Sequence, residues 1–324
     1  CSVQRRHQKL IEESSSPVLS DEQEESIKDA AARLCREAGY RNAGTVEFLY
    51  DPGTREFAFM EVNARLQVEH PVTEASTDLD LVKLQIHVAM GGVLEGEPPP
   101  VRGTAIEIRL NAEDPDEDFA PAPGKIELLR LPTGAGIRVD TGVEVGDRIP
   151  SEFDSMIAKI IAHGRDRSEA LSRLRRALSE LAVVVRGGTT NRAFLLEQLG
   201  MPEVIDGTAD VSWLDREPPS EWKRDAPDGE IAVALAAIQV YEQQFDAERK
   251  LFLASAARGR PRVRAEVGRP VELRHGGNLY KLKVFRYSGD LYRVDVDGHS
   301  LRLNVEAMGA FERRVLCRVR LYRT

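Results

Sequence analysis

Apolar side chains recur at the spacing of an α-helix in several parts of the chain. In residues 21–39, Ile27, Ala31 and Leu34 share one face, and Gly39 ends the pattern. Further helices are predicted by the same spacing at 78–90, 168–181, 191–199 and 230–257. The predicted N-caps are Ser20 or Asp21 for the first helix and Ser168 for the third.

Other segments alternate between apolar and polar residues, which is the two-residue period of a β-strand. In residues 105–112 this alternation alone predicts a strand with one exposed side, which would carry Glu107, Arg109 and Asn111. The predicted strands are 1–13, 45–50, 57–62, 105–112, 124–132, 136–149 and 153–164, and then 263–267, 270–274, 279–285, 291–296, 301–305 and 315–321. The last six strands would form a sheet with one solvent-exposed face.

Two of these strands, TVEFLY and FAFMEV, are separated by the turn residues DPGT and predict a hairpin. The expected register pairs Glu47 with Glu61 on one face. It also pairs Asp51 with Phe57 and Phe48 with Met60, and it gives a dry face of Val46, Phe48, Met60 and Val62.

Two carboxylates placed opposite each other repel, so a cation is expected between Glu47 and Glu61. Oxygen ligands without a nearby thiolate or imidazole favour Mg²⁺ or Mn²⁺. The alternative is that both are rim carboxylates paired with Lys or Arg. A one-residue slip in register would also separate them.

The segment from Phe59 to Glu74, FMEVNARLQVEHPVTE, is unusually rich in polar chemistry. Within ten residues it contains Glu61, Asn63, Arg65, Gln67, Glu69 and His70. The first three fall at every second position and share one face of an extended strand. Without further information, a surface pair that precedes a helix is the favoured interpretation of the last two.

Composition fits a globular enzyme. The chain has 324 residues, 42% hydrophobic and 30% charged, which is enough for two domains with cores. A net charge of -8 argues against nucleic acid as a general partner. Cys1, Cys35 and Cys317 are far apart and form no CxxC, so neither a zinc site nor a disulfide framework is predicted. No apolar run approaches the length of a membrane span.

The motifs carry a family resemblance. Glu47, Glu61 and the ExNxR that follows resemble the metal-binding end of an ATP-grasp ligase. The segments CSVQRRHQK, RLQVEHPVTE, EIRLNAEDP and FDSMIAKI resemble biotin carboxylase, in the same order. Carbamoyl-phosphate synthetases share the glutamates but, as a family, lack the QVEH sequence.

This resemblance implies an α+β fold. Residues 1–95 would be the C-terminal part of an ATP-grasp domain, and 96–217 a biotin carboxylase C-terminal domain. A linker at 218–229 would precede a long helix with an antiparallel β-sheet or barrel at 230–324. In its pattern that last region resembles the linking domain of acyl-CoA carboxylase biotin subunits, which implies docking to a carboxyltransferase rather than catalysis.

The resemblance also implies roles for individual residues. The metal ligands would be Glu47, Glu61 and Asn63. The residues facing ATP would be His7, Glu47 and Glu61. The residues on the bicarbonate and phosphate side would be Gln4, Lys9, Gln67 and Val68. The catalytic residues would be Arg65, which holds bicarbonate, Glu69, which takes its proton, and Arg109, which stabilises the biotin enolate.

The implied reaction is carboxylation of biotin with ATP and bicarbonate through carboxyphosphate. Biotin would come from a carrier outside this chain, because the EAMG at Glu306–Gly309 has glycine where a biotinylated lysine would stand. The phosphate loop and lysines that the family uses to hold ATP would lie before Cys1, so the chain is expected to be inactive alone. We expect an oligomer, located in the cytoplasm or, in a eukaryote, the mitochondrial matrix.

Two alternatives remain open from the sequence. A different ATP-grasp ligase would share the metal glutamates but would have no use for QVEH or Arg109. A non-catalytic assembly module of a carboxylase is the other alternative.

Overall fold

The structure is a computed structural model that describes residues 2–216, 229–256, 267–275, 278–296, 298–317 and 320–323. The chain divides into two compact units, Cys1–Lys223 and Arg224–Thr324. The predicted linker lies outside the described residues except for its last position, and so does the predicted strand 263–267 except for its last residue.

The first unit combines helices with antiparallel strands. Its strands are β1 (Ser2–Arg5), β2 (Gln8–Ser14), β3 (Thr45–Asp51), β4 (Glu56–Asn63), β5 (Thr104–Asn111), β6 (Glu113–Asp114), β7 (Ala120–Pro121), β8 (Lys125–Arg130), β9 (Ile137–Thr141), β10 (Met156–Gly164) and β11 (Ala182–Arg186). Its helices are α1 (Asp21–Glu37), α2 (His70–Thr77), α3 (Leu81–Ala89), α4 (Arg167–Glu180), α5 (Arg192–Gln198), α6 (Pro202–Ile205) and α7 (Trp213–Arg216).

A five-stranded antiparallel sheet organises this unit, in the order β1-β2-β5-β10-β9. Ile11, Ile108 and Ile160 lie side by side on one face and belong to the main core. Leu174 and Leu178 of α4 complete that core and are fully buried. Helix α2 contacts β2, β5 and β10 on the other, more polar face, so the central strands are covered on both sides.

This double covering corrects the prediction for β5. The alternation alone predicted an exposed side, but Glu107 and Asn111 are buried, and only 16% of the Arg109 side chain is exposed. The cause is α2, which the sequence pattern did not predict because the helix begins at His70, the last residue of the polar QVEH segment. Sheet pairing between distant segments then decides which polar residues are enclosed.

The helix ends agree with the predictions in one case and differ in two. Ser20 caps α1 through a capping box with Gln23, as the cap prediction stated. Helix α4 is capped by Asp166 rather than Ser168, since the Asp166 side chain accepts from the Glu169 amide at 2.8 Å. The predicted helix 78–90 is in fact α3 alone, because Asp78 adopts a left-handed conformation, φ 59°, and ends α2.

The hairpin of β3 and β4 contains a bulge that the predicted register lacked. Glu47 does pair with Glu61, as predicted. Beyond that pair the register shifts by one residue, so Phe48 pairs with Phe59 and not with Met60. Asp51 accordingly pairs with Glu56 and not with Phe57. The expected dry face is also wrong for Met60 and Val62, which are 46% and 38% exposed.

A second bulge interrupts the hairpin of β1 and β2. Val3 pairs with Ile11 and Gln4 pairs with Lys9, which leaves Leu10 as the extra residue. Leu10 and Ile11 both enter the core. Lys9 and Glu12, on either side of them, therefore lie on the same polar face of the sheet.

The second unit is an antiparallel meander with a long helix. Its elements are α8 (Gly229–Ala256), β12 (Arg269–His275), β13 (Asn278–Ser288), β14 (Leu291–Val296), β15 (His299–Ala307), β16 (Arg313–Cys317) and β17 (Arg320–Arg323). The strands pair in sequence order. Ala234, Ala237 and Ile238 of α8 pack on the buried side chains of the sheet, so the helix and the meander form one core.

The described helices differ from membrane-spanning helices in length or in composition. None of them is both long enough and apolar enough to cross a bilayer.

Candidate active site

Glu69 lies at the centre of the polar face. One of its carboxylate oxygens binds Lys9 Nζ, and the other accepts from Arg109 at 3.0 Å. Glu69 directly precedes α2, and Lys9 and Arg109 lie on β2 and β5. Three segments that are distant in sequence are thus joined by one carboxylate.

Glu47 is the second centre of the cluster. Its Oε1 accepts from Gln67 Nε2 at 2.6 Å, from Asn63 Nδ2 at 3.0 Å and from Lys9 Nζ at 3.2 Å. Lys9 therefore bridges Glu47 and Glu69. Gln67 is buried, and its Oε1 has no hydrogen-bond partner among the described residues.

The three residues predicted to bind a divalent cation lie close together. The Asn63 amide nitrogen donates to Glu47 Oε1 at 3.0 Å and to Glu61 Oε1 at 2.9 Å, so both carboxylates reach one point. Rotation of the Asn63 amide would offer a third oxygen there. In the described part of the chain no cluster of three His, Cys, Asp or Glu side chains could hold a metal ion, so a cation at this point would need the amide and ligands from a bound phosphate.

The charges of the cluster support one another. Burial lowers the pKa of Lys9, but the hydrogen bond and charge of Glu69, with help from Glu47, hold that pKa above its usual value. Burial raises the pKa of Glu69, but the hydrogen bond from Lys9 and the charge of Arg109 hold it below its usual value. Lys9 is therefore a cation and Glu69 an anion at neutral pH.

Hydrogen bonds hold the turn that carries Glu69 against the sheet. Lys159 Nζ of β10 donates to the carbonyl oxygen of Val68 at 2.9 Å and pairs with Asp140 at 3.3 Å. Within the turn, a His70 ring nitrogen lies 2.7 Å from the Gln67 carbonyl oxygen. These contacts fix residues 67–70 over the centre of the sheet.

Behind Arg109 lies a pair of buried glutamates. Arg109 Nε donates to Glu12 Oε1 at 2.6 Å. Burial, opposed by Arg109, raises the pKa of Glu12 to about 7. Glu107 is fully buried with no hydrogen-bond partner in the described residues, and burial together with the charge of Glu12 raises its pKa to about 9.

Three of the predicted site residues lie apart from this cluster. Arg65 is exposed and donates only to the neighbouring Leu66 carbonyl, at 3.3 Å, among the described residues. His7 is exposed in the β1–β2 turn, with φ 65°. Gln4 donates to Ser2 Oγ at 2.9 Å. No hydrogen bond within the described residues joins these three to Glu69 or Glu47.

Sequence reasoning missed Glu12, Glu107 and Lys159 as members of the site. Lys159 carried a usable signal, since it is the single charged residue in the buried run MIAKIIA. Glu12 carried no signal, because its burial follows from the β1–β2 bulge. Glu107 was placed on the correct face but was expected to be exposed.

Two family profiles match the chain. Residues 1–96 match "Carbamoyl-phosphate synthase L chain, ATP binding domain". Residues 107–216 match "Biotin carboxylase C-terminal domain". The two matches together cover the whole cluster around Glu69.

Several curated proteins are similar to the same region. Biotin carboxylase 1 of Bacillus subtilis is 46% identical over 217 residues, which is 66% of this chain and 48% of that protein. The biotin carboxylase of Haemophilus influenzae is 48% identical over 193 residues, 59% of this chain and 42% of that protein. The alpha3 subunit of a biotin-dependent acyl-coenzyme A carboxylase of Mycobacterium leprae is 51% identical over 184 residues, 56% of this chain and 31% of that protein. The chain thus spans less than half the length of these relatives.

A solved structure shows the same fold. The biotin carboxylase domain of Hydrogenobacter thermophilus 2-oxoglutarate carboxylase, in complex with MgADP, ADP and bicarbonate, superposes with a TM-score of 0.66 and 38% identity. The match covers 69% of this chain and 49% of that one. Residues 1–216 therefore belong to the biotin carboxylase family and contain residues that match an ATP-binding domain, followed by residues that match its C-terminal domain.

Proposed function

We propose that this chain contributes the bicarbonate, metal and biotin end of an enzyme that carboxylates biotin with ATP and bicarbonate. The observation that carries the proposal is the clamping of Glu69 between Lys9 and Arg109, beside the Glu47–Asn63–Glu61 group. Two cations and an ordered carboxylate suit the binding of a small anion and the movement of its proton. The solved relative in complex with MgADP and bicarbonate supports the same chemistry.

The proposal assigns a role to each residue of the site. Glu47, Glu61 and Asn63 would hold Mg²⁺ or Mn²⁺, which would neutralise phosphate charge during phosphoryl transfer. Lys9, Gln67 and Arg65 would bind bicarbonate, with Arg65 turning in from its exposed position. Glu69 would take the proton of bicarbonate.

The remaining roles concern biotin and the nucleotide. Arg109 would stabilise the enolate oxygen of biotin, because its guanidinium stays protonated and offers directed donors. His7 and Gln4 would face the nucleotide and phosphate side, and the Val68 backbone would border the bicarbonate.

A chimera tests this proposal. The part of Bacillus subtilis Biotin carboxylase 1 that precedes its matching segment would be joined to the whole 324-residue chain. We expect biotin-dependent phosphate release from ATP with bicarbonate and Mg²⁺, and a loss in Glu69→Gln of about 10² to 10⁴ in rate. Glu180→Gln, on the exposed surface of α4, is the matched control. Cleavage driven by ammonia or an amino acid, and not by biotin, would identify a different ATP-grasp ligase.

The 324 residues by themselves are expected not to turn over, because they span only 48% of Biotin carboxylase 1. Phosphate release by the 324-residue chain with free biotin should stay at background. Turnover comparable to that of the chimera would contradict this expectation.

The second unit has a proposed docking role. Its core contains α8 and the meander, and all the residues of the Glu69 cluster lie in the first unit. We propose that residues 230–324 link the carboxylase to a carboxyltransferase, that biotin is attached to a separate carrier domain, and that the assembly is an oligomer in the cytoplasm. In such an assembly the carboxyltransferase would choose the final acyl acceptor.

A further inference from the structure

Glu12 and Glu107 are direct cross-strand partners on β2 and β5. Their relative exposures are 3% and 0%. Side chains at such positions have Cβ atoms about 4.5 to 5.5 Å apart and point to the same face. Two carboxyl groups buried this close do not both ionise at neutral pH, because each charge destabilises the other.

The surroundings of the two groups decide which of them carries the charge. Glu12 Oε1 binds both Nε of Arg109, at 2.6 Å, and its terminal nitrogen. Neither oxygen of Glu107 has a donor among the described residues. The anion is therefore on Glu12 and the proton on Glu107.

Arg109 connects this pair to the proposed active site. Its guanidinium binds Glu12 on one side and Glu69, at 3.0 Å, on the other. Among the described residues, the remaining charged or titratable groups on this face of the sheet and on the helix above it are Lys9, Lys159, His70, Glu74, Arg138 and Asp140. Arg138 pairs with Glu74 and Asp140, and Lys159 pairs with Asp140. Glu12 is thus the carboxylate that holds Arg109 from behind.

We propose that Glu12 is a positioning residue for Arg109 and that Glu107 stays protonated at neutral pH, so that the pair carries at most one negative charge there. When Glu12 is charged, it fixes the guanidinium so that its terminal nitrogen meets Glu69. When Glu12 gains a proton as the pH falls, the guanidinium loses this anchor on β2. The link to biotin rests on the function proposed above, whereas the protonation state of the pair does not.

The electrostatics agree with this order of titration. The pKa of Glu12, about 7, places its change of charge near neutrality. The pKa of Glu107, about 9, is raised by burial first and by the charge of Glu12 second. The two groups titrate as a coupled pair, so the proposal concerns which of them releases its proton first.

Carboxyl ¹³C NMR of the whole 324-residue chain, labelled at glutamate Cδ, tests the protonation state directly. We expect two glutamate resonances to titrate above pH 6. Glu12→Gln should delete the earlier one and move the later one to lower pH, because a neighbouring charge is lost. Glu107→Gln should delete the later one and leave the earlier midpoint within about half a pH unit, because glutamine and a protonated glutamate are both neutral. A downward shift of about one unit or more in Glu107→Gln, or a wild-type chain with no resonance titrating above pH 6, would overturn the proposal.

The chimeric carboxylase tests positioning. In the unsubstituted chimera, kcat/KM for biotin should fall as the pH drops below about 7. In Glu12→Gln this fall should disappear, and kcat/KM should be about tenfold lower at every pH. The KM for ATP should not change, and Glu12→Asp should restore part of the fall. A fall that persists in a folded Glu12→Gln variant would refute the positioning role. If the chimera has no biotin-dependent activity but the NMR titration is as expected, the proposed function fails and the singly protonated pair stands.

Discussion

Lys159 donates to the carbonyl oxygen of Val68 at 2.9 Å, which joins the middle of β10 to the turn before α2. The two residues are 91 positions apart. The turn carries Gln67 and Glu69, so their placement depends on a side chain from the C-terminal domain of the family. The two matched domains therefore share one site.

Lys159→Met should loosen this turn. The change leaves the Val68 carbonyl without its donor, whereas Asp140 keeps Arg138. Loss of the partner of a buried polar group typically costs about 1 to 3 kcal/mol in the free energy of unfolding. Hydrogen exchange of the amides of residues 67–72 in the whole chain should become faster. Lys83→Met, at an exposed position of α3, is the control. Equal protection in both variants would show that the contact is not structural.

Glu61→Gln and Glu69→Gln should damage the chimera in different ways. Loss of a metal ligand weakens the metal, so higher Mg²⁺ should restore part of the activity of Glu61→Gln. Loss of a proton acceptor should leave Glu69→Gln about 10² to 10⁴ slower at every Mg²⁺ concentration. Initial rates against Mg²⁺ decide between them. If Mg²⁺ rescues both variants equally, or neither, the division of roles is wrong.

The stability of the first unit should fall as the pH rises from 7 to 9. The folded chain retains the proton of Glu107 up to a pKa of about 9, whereas the unfolded chain has released it near its usual value of 4.5. The native state thus binds more protons in this window, and the free energy of unfolding decreases by up to about 1.4 kcal/mol per pH unit. Glu12, with a pKa of about 7, also lowers the free energy of unfolding as the pH rises, but mainly below pH 7.

Urea unfolding followed by the fluorescence of Trp213, which is buried in the first unit, measures this slope. Glu107→Gln should abolish most of the slope, and Glu180→Gln should retain it. The same slope in Glu107→Gln and wild type would assign the effect to another group.

Tyr292→Phe should destabilise the second unit. The Tyr292 hydroxyl is enclosed in the core and donates to Glu242 of α8 at 2.7 Å. Burial raises the pKa of Tyr292 well above its usual value, so it stays a donor. Removal of a hydrogen bond to a charged acceptor costs about 1.5 to 3 kcal/mol. Hydrogen exchange of β13 and β14 reports this loss, and Tyr287→Phe, 55% exposed, should change little.

Removal of residues 230–324 tests the docking proposal. In a polypeptide that contains this chain and its biotin carrier, a flexible replacement should preserve carboxylation of free biotin. It should also abolish co-purification with the carboxyltransferase, because a stable interface buries at least about 1,000 Å². Size-exclusion chromatography measures the complex. An intact complex would remove the main reason for assigning a docking role to this unit.

The sequence predicted the elements and the local pairings best. The alternation of TVEFLY and FAFMEV was sufficient to pair Glu47 with Glu61, because neighbouring strands in a hairpin have few alternative registers. It was not sufficient to place Phe48, since a bulge adds one residue without a mark in the hydrophobic pattern. The short helix α2 was missed for a related reason: its polar start resembles a loop.

The site was predictable where a motif named its residues and not where burial depended on distant strands. The motifs implied Lys9, Glu69 and Arg109, which the structure brings together. Glu12 and Glu107 are polar residues whose enclosure requires β2, β5 and α2 to meet, and no local pattern records that meeting. Arg65 and His7 remain predictions, because the described contacts do not draw them in.

The extra residue in β2 decides which side chains of that strand lie on the polar face of the sheet. A strand without a bulge would place residues an odd number of positions apart on opposite faces, yet Lys9 and Glu12 both point toward Arg109 and Glu69. Deletion of Leu10 alone would leave Lys9 and Glu12 two positions apart, which is the spacing of one face in a regular strand, but it would remove one fully buried leucine from the core. The bulge therefore gives the core a second consecutive apolar side chain from β2, while the charged residues before and after it stay on the polar face.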